Sequence, residues 1–472
     1  MTQILAIDQG TTSTRAVAVD AQGAARVLAA IEHRQFYPRP GRVEHDPEEL
    51  LRNITACIAE AGPGFAALGL ANQGESCLAW NRQTGEPISP VIVWQDERTA
   101  GEAERMRADG AEALTMARAG LHLDPYFSAS KLGWILRNIP EAARLAAAGR
   151  LCLGTTDAFF RHRLTGRFET DVATASRTSL MALETCAWDD ELCALFGIPP
   201  ECLPTITPTF GALGVLPGGL PLAASITDQQ AALRGHGCHR PGDAKITFGT
   251  GAFALAVAGD VAPEARGGPV PTVAWAPRLD APVYALEGGV HAAAAALNWA
   301  RGLGLFSDWS EIADFAEAPA ISRGLAFVPA LAGLACPHWD RRTKGTWMGL
   351  TLDAGPRDLV QAVLEGVAFR AAEVIAAMDA VQPIASPISI DGGMTRNRWF
   401  CQFLADCLGR ELHLSRAPEL TAIGAAILAA EGIGADIAPP ADFELVRPRP
   451  QPPEWAPRFA EATRLARAFA AT

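Results

Sequence analysis

Long apolar runs are missing from this sequence: none approaches the roughly 18 residues that span a bilayer. The first run, Ile4 to Ile7, is broken at once by Asp8, and no basic segment precedes it, so no signal peptide is expected. Cysteine pairs at metal or redox spacing are missing too. The ten cysteines, at 57, 77, 152, 186, 193, 202, 238, 336, 401 and 407, include no C-x-x-C. Scattered thiols in a chain this long predict buried, reduced side chains and a cytoplasmic protein. His236-Gly237-Cys238-His239 has no second ligand pair at finger spacing, and Pro241-Gly242 after it reads as a turn between domains rather than a zinc site. Clustered cations are absent: 40 Lys and Arg stand against 52 Asp and Glu, a formal charge of −12. That balance speaks against nucleic acid and anionic membrane surfaces as partners. No Walker A sequence occurs, which excludes a P-loop kinase. What the chain has in quantity is apolar residues, 49% against 19% charged over 472 positions. Such a composition predicts a well-packed globular protein of two or three domains.

The most informative stretch runs from Ile4 to Asp20. Ile4 to Ile7 reads as a buried strand that ends on a carboxylate, Asp8. Gly10 permits a tight turn, Thr11, Thr12, Ser13 and Thr14 follow, and Ala16 to Val19 alternates at period two as a return strand. A carboxylate at one lip and bare N–H groups at the tip make an anion nest beside a metal ligand, suited to a nucleotide's terminal phosphate and its Mg²⁺. An ordinary hairpin with a Thr-rich tip is the other reading. Asp243 to Val257 repeats the plan half a chain later, with Gly249-Thr250-Gly251 at its tip and Phe253, Leu255 and Val257 alternating beyond it. Two such hairpins suggest a duplicated architecture with a nucleotide held between related lobes. Gly249 to Ala254 also matches G-x-G-x-x-A, but neither the helix nor the acidic residue that a dinucleotide fold needs follows it.

Between the hairpins, Asp46 is a good N-cap, Pro47 suits a first turn and Glu49 sits at the capping-box position. Leu50, Leu51, Ile54, Cys57, Ile58 and Ala61 make one apolar stripe that Gly62 closes. Ala67 to Ala71 returns as a strand and ends in the polar cluster Asn72 to Ser76; Val91 to Trp94 is a second strand, ending in Gln95 to Thr99. Polar clusters at the carboxyl ends of strands are where open α/β sheets place ligands. Pro439 to Pro457 is proline-rich and reads as an ordered wrap before a short helix ending near Ala470.

Several of these phrases carry a resemblance. Ile4 to Val19, Val43-Glu44-His45-Asp46-Pro47, Asn72-Gln73-Gly74-Glu75 and Ile92-Val93-Trp94-Gln95-Asp96 resemble the FGGY carbohydrate kinases, and among them the glycerol kinases most closely. Asp124 to Ile135 is similar to the family's first signature; Gly345 to Leu350, with Asp358 to Glu365, is similar to its second. Asp171 to Thr178, Trp188 to Asp190, Asp228 to Ala232 and Asp391 to Gly393 match further phrases, so the likeness runs from Ile4 to about Gly432. The resemblance implies an α/β, duplicated actin-like ATPase (ribonuclease H-like) fold. Its two lobes, 1–238 and 239–472, would lie around a nucleotide cleft. It implies ATP and Mg²⁺ as cofactors and phosphorylation of a hydroxyl of a small polyol or sugar, glycerol to glycerol 3-phosphate first. A homodimer is compatible with it.

Residue by residue, the resemblance implies Asp228 as catalytic base, following the apolar run Leu222 to Ile226, where it would also cap the next helix. It implies a substrate pocket of Glu75, Trp94, Tyr126, Asp228, Gln229 and Phe253, in which carboxylate and amide acceptors meet adjacent hydroxyls and aromatic walls meet C–H edges. Thr11, Thr12, Ser13 and Thr250 would contact the phosphates, and Asp8 would hold Mg²⁺ directly or through water. Arg15 would stand beside the phosphates or pair with an acid. Gly392, Gly393 and Asn397 would form the adenosine loop, with Asn298 where Gln is usual and Ala294 where Gly is usual. One departure falls inside the pocket: Gly74 stands where glycerol kinases carry Arg. A lost charged donor is worth about 1.5–3 kcal/mol. The space left could be filled by a larger polyol or ketose (erythritol, a pentitol, xylulose or ribulose), by water, or by an Arg from elsewhere. A nucleotide-binding actin-like ATPase without a sugar substrate is the reading from another class; a polyol pocket at Glu75 and Asp228 discriminates against it.

Overall fold

The apolar runs at the two hairpins become the central strands of two sheets in the computed structural model, which describes residues 3–471. In the first, β1 (Ile4–Gln9) pairs antiparallel with β2 (Ser13–Val19) and β2 with β3 (Ala25–Glu32). On its other side β1 runs parallel to β4 (Ala67–Asn72); β5 (Phe210–Val215) and β6 (Pro221–Thr227) complete the order β5-β6-β4-β1-β2-β3. Ile4 and Ala6 face one core and Leu5 and Ile7 another. A strand covered on both faces needs an unbroken apolar run, which is what the sequence supplies.

The second sheet is built on β7 (Ala244–Phe248), β8 (Ala252–Gly259), β9 (Val270–Trp275), β10 (Val283–Val290), β11 (Ile388–Asp391), β12 (Leu412–Ser415) and β13 (Phe443–Val446), ordered β9-β10-β8-β7-β11-β12-β13. Its plan repeats the first. An antiparallel trio (β7, β8, β10) adjoins a parallel pair (β11, β12) through β7, and an antiparallel edge strand follows. The duplication read from two hairpins therefore extends to six strands of each sheet.

Helix α1 (Pro47–Ala61) starts and stops where expected: the Asp46 carboxylate accepts from Glu48 N, and Gly62 closes it at φ 74°. The capping box does not form, because Glu49 Oε1 accepts from Arg34 N at 3.3 Å instead. The strand expected over Val91 to Trp94 stops at Ile92, which leaves Trp94 beyond the sheet. α2 (Asp228–Gly235), α3 (Ala294–Gly302), α4 (Pro356–Asp379), α5 (Arg398–Leu408) and α6 (Leu420–Gly432) follow. α2 leaves the first sheet from β6. α6 leaves the second sheet, yet Ile423, Ile427 and Leu428 pack with Ile4, Ala67 and Ile226 of the first. The two helices cross with their backbones in contact: a Cβ on Gly424 would lie 1.7 Å from Ala231 O, and one on Gly235 1.9 Å from Leu420 O. Only glycine fits at either position.

The proline-rich tail is an ordered wrap, adding β13 at the sheet edge before a helix over Trp455–Ala470 whose Phe459 stacks on Phe369. His236 is buried against Ser389 Oγ (2.6 Å) and Asp391 (3.3 Å), and Arg240 to Asp243 is the turn that leads into β7. All ten cysteines are free and nine are buried. Among the described residues no helix is long and apolar enough to cross a membrane.

Candidate active site

The carboxyl ends of β1, β4 and β6 and the tip between β7 and β8 converge on one cavity of about 170 Å³. It is lined by Thr11, Gly74, Glu75, Trp94, Tyr126, Asp228, Gln229, Thr250 and Phe253, together with Thr227, Gln230, Thr247, Gly249, Gly251 and Glu287. Every residue expected in a polyol pocket is present, and so is one threonine from each hairpin tip.

Glu75 sits three residues past β4 at φ 57°, a left-handed backbone that costs a non-glycine residue about 1–3 kcal/mol and persists only where its surroundings fix it. Ser128 Oγ donates to its carbonyl (3.0 Å) and Arg177 Nε to its carboxylate (2.7 Å). Trp94 is held by its own main chain, with N donating to Ser76 Oγ (3.1 Å), and by its ring N–H, which donates to Thr11 Oγ1 (3.1 Å). Tyr126 and Phe253 meet the Trp94 ring edge-to-face, each at 5.9 Å. That geometry makes a rigid apolar wall opposite the carboxylates.

Asp228 is the first residue of α2, so the strand-end placement holds. Its side chain does not cap the helix, whose N-cap is Thr227. Burial, and then the carboxylates of Asp8 and Glu75, push its pKa up to about 8 against the pull of Lys245. Asp8, at the end of β1, is pushed up to about 6 by burial and by Glu419, with Arg15 opposing. Arg15 faces Asp8 across the ladder and donates to both oxygens of Glu419 (2.9 and 2.8 Å). The acid that Arg15 pairs with is Glu419. Thr12 and Thr250 are exposed at their tips and Ser13 is half-buried. The second tip is buttressed from α3: Ala293 N and Ala295 N donate to Thr250 O, and Ala294 N to Gly249 O.

The residues expected around adenosine lie outside this cavity. Asn298 is exposed on α3. Gly392 takes φ 99° with its α-carbon against Phe248, where a Cβ would meet the Phe248 carbonyl oxygen at 2.3 Å; beside Gly393 the space is open. Asn397 caps α5 by accepting from Phe400 N (2.9 Å) and donates to Ile312 O (2.7 Å), so its side chain is engaged within the fold.

Three residues with no role assigned from sequence stand in or under the cavity. Arg177 is buried, bridges Glu75 and Glu287 (Nη2 to Oε1 2.5 Å), and lies over the rings of Tyr126 and Phe127. It reaches Glu75 from 102 residues further along the chain, and it does not enter the space beside Gly74, where only Thr227 stands within 4 Å of an added Cβ. Glu287 is its partner on β10. Lys245, fully buried on β7, donates to Gln229 Oε1 (2.6 Å) and Thr247 Oγ1 (3.0 Å). Arg177 and Lys245 lie within stretches that the sequence already marks out, and an ionisable group inside an apolar strand was the available signal for Lys245. A second cavity of about 280 Å³ shares Trp94, Tyr126, Thr250, Phe253 and Glu287 with the first, and extends to Gly288, Ala332 and Arg341.

Comparison with known proteins agrees with this geometry. Residues 3–229 match the model for the N-terminal domain of the FGGY family of carbohydrate kinases, and residues 244–432 match that for its C-terminal domain. A glycerol kinase of Alkalilimnicola ehrlichii is 43% identical over 469 residues, covering 95% of this chain and 94% of that protein. Among solved structures, Plasmodium falciparum glycerol kinase with ADP superposes with a TM-score of 0.88 at 28% identity, covering 99% of this chain and 98% of that one. A xylulose kinase from Rhodospirillum rubrum superposes at 0.83 with 26% identity, covering 99% and 98%.

Proposed function

Because the chain belongs to the FGGY family of carbohydrate kinases, we propose that it transfers the γ-phosphoryl group of ATP to a hydroxyl of a small polyol, converting glycerol to glycerol 3-phosphate. It is a phosphotransferase with an alcohol group as acceptor. One observation carries the substrate class: a single cavity contains the Glu75 and Asp228 carboxyls, the Gln229 amide, a three-ring aromatic wall, and a threonine from each hairpin tip.

In this reading Glu75 and Gln229 accept from the polyol's hydroxyls, and Trp94, Tyr126 and Phe253 pack on its carbons. Asp228 accepts the proton of the reacting hydroxyl as its oxygen bonds to phosphorus and the bond to ADP breaks. Thr11, Thr12, Ser13 and Thr250 offer hydroxyls and main-chain N–H groups to the phosphates. Gly393, beside open space, leaves room for adenosine, Gly392 lets the loop close on Phe248, and Asn298 stands at the edge. The Asp8 carboxylate raises the pKa of Asp228, so the site gains from a cation between its acids. A lone carboxylate such as Asp8 fits Mg²⁺, which keeps several waters and binds through one or two carboxylates plus substrate phosphates. Bound there, the ion offsets charge on the transferring phosphate. We assign the lobes to 1–238 and 239–472 and the protein to the cytoplasm, with a homodimer compatible with the family.

A second reading is favoured by Gly74 and the adjoining 280 Å³ cavity: a four- or five-carbon polyol or ketose as the better substrate. Gly74 has ordinary contacts only, since a Cβ added to it would lie 3.5 Å from Thr227 Cγ2, so the backbone there does not itself demand glycine. Coupled ADP release with Mg-ATP against glycerol, erythritol, pentitols, xylulose, ribulose and dihydroxyacetone separates the two readings. Highest kcat/KM with glycerol is the expected result, with Gly74→Arg shifting selectivity further toward glycerol. A five-carbon substrate leading the panel would hand specificity to the Gly74 space.

A further inference from the structure

Two buried cations stand at the base of the cavity, and each joins an element of one sheet to an element of the other. Arg177, within the span of the first family domain, donates to Glu75 just after β4 and to Glu287 on β10 of the second sheet. Lys245, on β7 of the second sheet, donates to Gln229 at the start of α2, which continues from β6 of the first. Both side chains are wholly or almost wholly out of solvent (Arg177 1%, Lys245 0%). Only three of the 40 Lys and Arg are lysines, and two of those three, Lys131 and Lys245, are fully buried. Desolvating a cation is costly unless close, well-aimed acceptors offset it, so neither side chain is incidental to the packing. The pattern is reciprocal: one cation from each side, each gripping a residue expected to accept from substrate hydroxyls.

We infer that Arg177 and Lys245 are positioning residues that hold Glu75 and Gln229 in their substrate-facing orientations from across the two sheets. The polyol site is then complete only when both sheets close on it. Arg177 acts on the pocket through Glu75, whose carboxylate it holds from below the lining residues. Its planar fork serves two carboxylates at once; the compact ammonium of Lys245 fits between an amide and a hydroxyl. This inference rests on the polyol reading above.

The test is steady-state kinetics of the full chain with Mg-ATP and glycerol for wild type, Arg177→Met, Arg177→Lys and Lys245→Met. Loss of a hydrogen bond to a charged group predicts a rise of about 10–100-fold in the KM for glycerol, with the KM for ATP changed by less than about 3-fold. Arg177→Lys keeps charge without the fork and is expected to fall between wild type and Arg177→Met. It and Lys245→Met also carry the test if Arg177→Met does not fold. Glycerol and ATP constants rising together, or an unchanged glycerol KM, would overturn the inference. Wild type inactive on every polyol would instead overturn the functional reading, and the two failures are distinguishable.

Discussion

At Asp228, burial and the neighbouring Asp8 and Glu75 carboxylates lift the pKa to about 8, with Lys245 opposing. A carboxyl in an unfolded chain releases its proton near pH 4. Between those values the folded protein holds a proton that the unfolded chain lacks, so this group makes stability fall as pH rises from about 4 to about 8. Asp228→Asn keeps the shape and removes the titration. Thermal unfolding at pH 8 should therefore occur at a higher midpoint in Asp228→Asn than in wild type, with the difference closing toward pH 4. Activity should drop about 10²–10⁴-fold, the usual contribution of a general base. Wild-type kcat/KM for glycerol should climb with pH to a plateau above about 8. A flat profile from pH 6 to 9, with equal midpoints at pH 8, would remove Asp228 from the base role. Its place at a strand end was legible from the apolar run Leu222 to Ile226, and the role proposed for it came from the family resemblance of Asp228 to Ala232. Its pKa was not legible, since that depends on Asp8 and Lys245, which arrive from two other strands.

At the scale of elements, the crossing of α2 and α6 is a backbone-to-backbone contact between parts that belong to different sheets. Gly424→Ala places a methyl where Ala231 O already stands, so the helices must separate. Overpacking of this kind costs typically about 1–3 kcal/mol. The expected outcome is a lower unfolding midpoint by calorimetry, whereas Gly434→Ala, at a left-handed position with open space, tests strain without the clash. An unchanged midpoint in Gly424→Ala would mean that the helices separate at no cost. Elements fixed by local pattern were readable: both hairpins from period-two alternation, and α1 from its Asp46 cap and Gly62 stop. Asn397 shows the limit. It lies in a stretch that resembles an adenosine loop, yet an Asn immediately before a helix also meets the description of an N-cap, and its side chain caps α5. Partners distant in sequence leave no local trace at all; Arg15 and Glu419 lie 404 residues apart, and Arg177 and Glu287 110.

Across the whole molecule, the repeated sheet plan brings a threonine from each hairpin tip to the one cavity that also holds the Glu75 and Asp228 carboxyls. In the proposed reading, a polyol between Glu75 and the aromatic wall would occupy the position from which water would attack, which favours transfer over hydrolysis. Phosphorus NMR of the full-length protein with Mg-ATP and glycerol reads this directly. Transfer predicts that the γ-phosphorus signal is replaced by that of a phosphate monoester, in step with ADP and only when glycerol is present. Growth of inorganic phosphate instead, at the same rate with or without the polyol, would mean that the site hydrolyses ATP and does not phosphorylate an alcohol.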